Sequence, residues 1–393
     1  VSGGVDAAAL AGEPATHEEE ERRTGFLELF FDLVFVFAIT QVVTLIIEDT
    51  SAAGFGRSAL VLGMVWWAWS GYAWMTNAID VDRVGVRVLF LLGMLGSLLM
   101  ALAVPDAYQD EGVWFAIAYV AVRVLNVVLY DTGLRGDPAH RAAFRRLAPW
   151  FLVAPAVALA GGFADGDVRV ALWALSLTLD VVGTLTVGRS GFRVSPAHFA
   201  ERYGLFVIIA LGESVVAVGL AAADLERDAL FVATVAVAFA GVAALWWAYF
   251  DWPQLAAERR LRREPDATRG PLARDLYTFF HFPLVLGIIF YAVAAKKTLA
   301  HPDEPLSTAG RWALGIGVAS YLAAFALQRY RAVRVVAWER LAGGAAAVGL
   351  VVLLRDLDAV GLLAIVVGLL VLVTAVEATR LREIRSSVRS PGD

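Results

Sequence analysis

The chain has 393 residues, 59% hydrophobic and 18% charged, with a mean hydropathy of +0.67 and a formal net charge of −5. Soluble domains average about 45–50% apolar and about 25% charged residues, so this composition excludes an ordinary soluble domain and points to a chain embedded in a membrane. Cysteine is absent, which excludes disulfides, thiolate metal sites and cysteine nucleophiles.

Residues 1–24 are polar or small and carry Glu18, Glu19, Glu20 and Glu21. No positive segment precedes an apolar one there, so the stretch reads as a disordered cytoplasmic tail and not as a cleaved signal peptide. Twelve apolar segments follow, each read as a transmembrane helix on the criterion of about 20 apolar residues. The first six run over 26–47, 58–77, 87–104, 112–130, 143–163 and 168–187. The second six run over 199–221, 228–250, 276–298, 310–328, 334–354 and 358–380. The one long polar connection is 251–275, with Pro253, Pro265 and Pro271, and 382–393 reads as a second cytoplasmic tail.

Placing both termini inside puts 24 of the 33 basic residues on the cytoplasmic side and 7 outside, as the positive-inside rule requires. The sequence also repeats itself. Trp66-Trp67-Ala68-Trp69 returns as Trp246-Trp247-Ala248-Tyr249, and Arg23-Thr24-Gly25-Phe26 as Arg202-Tyr203-Gly204-Leu205. Interfacial anchoring explains the Trp chemistry but not a shared offset. The expectation is an all-α membrane protein of twelve transmembrane helices in two parallel six-helix repeats, 25–190 and 191–381.

The polar residues inside these segments are the candidate site. Glu28 and Asp32 are four apart in the first segment and share a helix face, continued by Gln41 and Thr44. An acid inside a span is costly and faces protein interior or a water-filled cavity. At about 1.5 Å per residue, Asp32, Arg123 and Asp180 fall at one depth, with Asn126 a turn from Arg123. Arg123 is thus expected to restrain Asp32 or bind an anionic group; the competing reading is a charge lock among segments one, four and six. Glu213, in Leu211-Gly212-Glu213-Ser214 of the seventh segment, lies near the bilayer centre. His281 is a weaker candidate, and His198 reads as interfacial. Glu377 is expected to snorkel or to meet Arg380 or Arg382.

The stretch Glu28-Leu29-Phe30-Phe31-Asp32-Leu33-Val34-Phe35-Val36 resembles the hallmark of the bacterial low temperature requirement protein A family, and Gly212-Glu213-Ser214 fits it too. That resemblance implies a multi-pass bacterial inner-membrane protein and carries over no catalytic residue. Phe30-Phe31-Asp32, Val34-Phe35 and Ala38-Ile39-Thr40 are also partly similar to potassium channels that lack a carbonyl filter. Phe37 stands where those channels have a constricting isoleucine, and the second repeat lacks a Phe-Ser-Asp counterpart.

No phosphate loop, zinc-protease helix, nucleophile elbow or dinucleotide fingerprint occurs, so the chain reads as no enzyme, without cofactor or metal. The leading expectation is a secondary transporter, proton coupling included, with Glu28, Asp32 and Glu213 lining an inner cavity. A cation channel and a non-transporting scaffold or sensor are the alternatives. The expected partners are the lipid bilayer, a small solute or ion and, as a homodimer, a second copy of the chain; nucleic acid is not among them.

Overall fold

A computed structural model describes residues 24–389 apart from 82, 188–191, 193 and 223–226. The expected N-terminal tail lies outside the described residues up to residue 23. The regular structure among the described residues is helical apart from one isolated bridge between Pro305 and Asp358. Its first elements are α1 (Phe26–Glu48), α2 (Ala52–Ala78), α3 (Val84–Leu102), α4 (Gly112–Gly133), α5 (Pro138–Gly162) and α6 (Gly166–Thr186). Then come α7 (Pro196–Ala222), α8 (Ala229–Phe250), α9 (Pro253–Arg262) and α10 (Asp266–Ala273). A π-helical stretch, Arg274–Phe279, leads into α11 (His281–Ala300). The chain closes with α12 (Thr308–Val333), α13 (Trp338–Leu353), α14 (Ala359–Arg380) and α15 (Arg382–Arg389).

Among the described residues, ten stretches are long and apolar enough to cross a membrane: α1, α3 to α7, α8 continued by α9, α10 continued by α11, α12 and α14. α2 and α13 are not among them. α2 carries Trp66, Trp67, Trp69, Ser70 and Asn77 where a lipid-facing helix has aliphatic residues, and α13 has only 16 residues. Residues 382–389, expected within a tail, form a helix whose Arg385 pairs with Asp251 at 2.6 Å.

Local chemistry sets the helix starts. Gly25 is extended ahead of α1, and its N–H donates to the Glu28 carboxylate at 3.5 Å. Ser51, Asp137, Asp228, Ser307 and Asp358 each accept a backbone N–H of the first turn of α2, α5, α8, α12 and α14.

Packing follows the chain. α1 lies on α2 and α3, then α3 on α4, α4 on α5 and α5 on α6, with α2 against α6. From α7 onward, α7 lies on α8 and α11, α11 on α12, α12 on α13 and α13 on α14, with α8 against α14. The two sets meet where α1 and α2 touch α7 and α11. The stretch from α10 through α11 is the most enclosed of the ten.

Backbones approach closely between α11 and α12. A Cβ on Gly287 would stand 2.5 Å from the Gly317 carbonyl oxygen, and one on Gly317 2.9 Å from that of Gly287. Backbone faces backbone, so neither side has a rotamer with which to yield. Gly287→Ala is expected to destabilise the fold by about 1–3 kcal/mol, the range for overpacking. A thermal melt of the purified protein, set against Gly349→Ala where a Cβ meets open space, checks this.

Candidate functional site

Glu28 and Asp32 lie one turn apart on α1. On α7, His198 and Arg202 have the same spacing with the opposite chemistry, and the two pairs face each other. All four side chains are more than nine-tenths buried. His198 Nε2 stands 2.8 Å from Glu28 Oε2, and Arg202 Nε 3.6 Å from the same oxygen. Trp69 of α2 donates its indole N–H to Asp32 Oδ1 at 2.9 Å. Arg202 Nη2 also stands 2.9 Å from that oxygen but is misdirected for a hydrogen bond, so only the proximity of its charge acts on Asp32. The Arg202 guanidinium carbon lies 5.8 Å from the Trp69 ring centroid. The second oxygen, Asp32 Oδ2, is buried and has no partner.

Arg202, therefore, and not Arg123, is the cation beside Asp32. Arg123 is committed to Asp180: Nη1 reaches Oδ2 at 2.6 Å and Nη2 reaches Oδ1 at 2.7 Å. Tyr119 accepts from Arg123 at 2.6 Å, and the Phe151 ring lies 5.1 Å below the guanidinium. Equal depth along three helices did not mean a shared face. A second lock joins α13 to α14. Arg340 Nε donates to both Glu377 oxygens, at 3.0 and 2.9 Å, so Glu377 neither snorkels nor meets Arg380 or Arg382. The Arg340 guanidinium carbon stands 4.1 Å from the Phe325 ring centroid.

Glu213 is buried on α7 and accepts from the Thr40 hydroxyl of α1 at 2.5 Å, so Asp32 and Glu213 both lie between the same two helices. Gln41 is half-buried on α1 and joins neither group among the described contacts. Asn126 borders a cavity of about 40 Å³ shared with Ser70, Trp74, Thr184 and Thr278, room for ordered water. Its amide nitrogen has no partner there. His281 belongs to the backbone: Nδ1 donates to the Leu276 carbonyl at 2.9 Å, and Nε2 accepts from Tyr249 at 2.9 Å.

Three participants escape a reading of the sequence. His198 and Arg202 sit where the seventh segment begins and read as interfacial or loop residues. The signal for them was their spacing, since residues 198 and 202 mirror 28 and 32 with opposite charge. Thr278 has no such signal. Its hydroxyl takes hydrogen bonds from Trp74 at 2.8 Å and Ser70 at 3.3 Å and lies 2.9 Å from the Tyr203 hydroxyl.

Apolar helices of membrane-crossing length, with charges buried in pairs between them, define an integral, multi-pass membrane protein. Residues 23–375 match the family described as Bacterial low temperature requirement A protein (LtrA). The uncharacterized protein RA0937 of Rhizobium meliloti (strain 1021) is 33% identical over 297 residues, covering 72% of this chain and 72% of that protein. The chain belongs to the bacterial low temperature requirement A family. The partial resemblance of its first helix to potassium channels has no counterpart in either match.

Removing one member of a buried ion pair strands the other charge at a cost of about 3–5 kcal/mol, whereas removing both together is far cheaper. Arg123→Met alone is expected to lower the melting temperature sharply, and Arg123→Met with Asp180→Leu to recover most of the loss. Thermal unfolding of the wild type, both single variants and the double variant in detergent measures this coupling.

Proposed function

We propose that this protein is a secondary transporter, moving a small solute or cation across the bacterial cytoplasmic membrane, with Asp32 and Glu213 as its ion-handling groups. One observation carries the reading. Asp180 and Glu377 each have both carboxylate oxygens held by an arginine, whereas Asp32, equally buried, has one oxygen with no partner. A carboxylate kept deep in a span and left incompletely satisfied is the usual mark of an ion or proton pathway. Glu213, with Thr40 as its hydrogen-bond partner, lies farther along the same two helices.

The reading includes twelve membrane crossings, with α2 and α13 among them, in two parallel six-helix repeats and with both termini cytoplasmic. The sequence offset near 180 supports it, as does the matching order of packing within each set of helices. The site falls between the first helices of the two repeats, where relative motion would open it to one side and then the other. No residue is assigned a catalytic role.

A second reading, a non-transporting scaffold or sensor, is favoured by the two locks whose carboxylate oxygens are all occupied, Arg123–Asp180 and Arg340–Glu377. Proteoliposomes under imposed potassium and proton gradients separate the two. The carrier predicts a saturable flux in the wild type that is lost in Asp32→Asn and in Glu213→Gln. Flux retained by both variants overturns the assignment. Flux that never saturates makes the protein a channel, and a folded wild type that moves neither ion nor co-reconstituted small solutes favours the scaffold.

A further inference from the structure

We infer that the seam between α1 and α7 holds one exchangeable monovalent positive charge at Asp32, and that this charge is a proton; the inference rests on the carrier reading for its purpose and on geometry for its content.

The charge count of the seam turns on Asn77. Its Oδ1 accepts from the Ser195 backbone N–H at 3.1 Å, and its Nδ2 donates to the Ser195 carbonyl at 3.3 Å. Those two bonds admit one orientation of the amide, because the flipped form would set donor against donor and acceptor against acceptor. The same Nδ2 lies 3.2 Å from His198 Nδ1, which must then be an acceptor. His198 is therefore a neutral imidazole with its proton on Nε2, and that proton is donated to Glu28 Oε2.

Glu28 is the anion that this donor calls for. It also receives the Gly25 N–H and lies beside Arg202. Arg202 stays cationic in any protein environment. Glu28 and Asp32 as two anions would leave the buried seam one negative charge in excess, with a guanidinium shared between them. An uncompensated charge there is costly enough to be neutralised.

The other described groups do not supply the missing charge. On α2, Trp69, Thr76 and Asn77 are uncharged. On α7, Glu201 is exposed and accepts from the Thr24 N–H. Arg83 and Arg87 flank and open α3 on its exposed side. On α11, His281 is bound to Leu276 and Tyr249, and Lys296 lies toward the other end of that helix.

Among the described residues, the orphan Asp32 Oδ2 is the one place left for a positive charge. A metal ion there would need several oxygen ligands. What surrounds Asp32 is the indole N–H of Trp69 and the Arg202 guanidinium, both donors that repel a cation. A proton requires no ligand shell. When it leaves Asp32 Oδ2, the seam turns negative and Arg202 gains a second carboxylate oxygen to hold, which tightens α7 on α1. Proton occupancy and the fit of the two helices are thereby linked.

Infrared difference spectroscopy of the purified protein tests this without any transport. A protonated carboxyl has a C=O stretch above the amide band, and the wild type at neutral pH is expected to show one. The band should shift when aspartate alone is labelled with carbon-13, and should be lost in Asp32→Asn and kept in Glu213→Gln. The isotope shift needs no variant, so misfolding of Asp32→Asn would not blunt the test. A band that ignores the aspartate label, or survives in a folded Asp32→Asn, overturns the proposal. So does a band that vanishes when sodium or potassium chloride replaces choline chloride, which would assign the charge to a metal cation. An aspartate band in a protein that moves nothing would leave the proton in place and remove the carrier.

Discussion

The structure turns on keeping charge inside an apolar protein, and on one seam above all: Glu28 and Asp32 of α1 against His198 and Arg202 of α7. Four side chains, each pair one turn apart, join helices that lie 170 residues apart in the chain. Several elements depend on that contact. Trp69 brings α2 to Asp32, and Asn77, on the same helix, pins the chain at Ser195 just before α7 begins. Tyr203, next to Arg202, reaches Ser70 of α2 and Thr278 of the π stretch. Four helices thus take their mutual positions from a cluster that would be unaffordable if its charges were separated in lipid.

Charge is handled differently elsewhere. Arg123 with Asp180 and Arg340 with Glu377 are closed pairs, with both carboxylate oxygens occupied and an aromatic ring against each guanidinium. Such pairs gain little net stability over apolar residues of the same volume, but they fix which helices meet, because the wrong neighbour leaves a bare charge. The seam has the same ingredients in a looser arrangement: one arginine between two acids, a neutral imidazole, and an oxygen left over. The closed pairs tie α4 to α6 and α13 to α14, whereas the open one lies where the two sets of helices meet.

The helical segments were legible in the sequence because the length of an apolar run reports directly on burial in lipid or protein. Glu28, Asp32 and Glu213 were legible for the converse reason: an acid within such a run has no cheap explanation. Partners were not legible, because depth follows from counting residues while the direction a side chain faces depends on how helices pack. Asp32, Arg123 and Asp180 share a depth, yet Arg123 faces α6 and Asp32 faces α7. His281, a weaker candidate in the sequence, serves a backbone carbonyl, whose need arises from a π-helical stretch that no residue pattern announces.

That stretch also accounts for α2, whose composition fits a lipid-facing span least well. A π-helical turn misaligns backbone carbonyls and leaves them in search of donors. The Thr278 carbonyl takes the indole N–H of Trp66 at 2.9 Å, and the Leu276 carbonyl takes His281 and Gln328. Trp74 and Ser70, farther along the same face of α2, donate to the Thr278 hydroxyl. Trp66, Trp69 and Ser70 are all buried, so most of this helix is surrounded by protein and not by hydrocarbon. An apolar surface would gain it nothing there. Its indoles and hydroxyls are where donors are required, one set holding the π stretch and one, Trp69, holding Asp32. The low hydropathy of α2 is thus a consequence of its central position, beside both the charge seam and the π-helical start of α11.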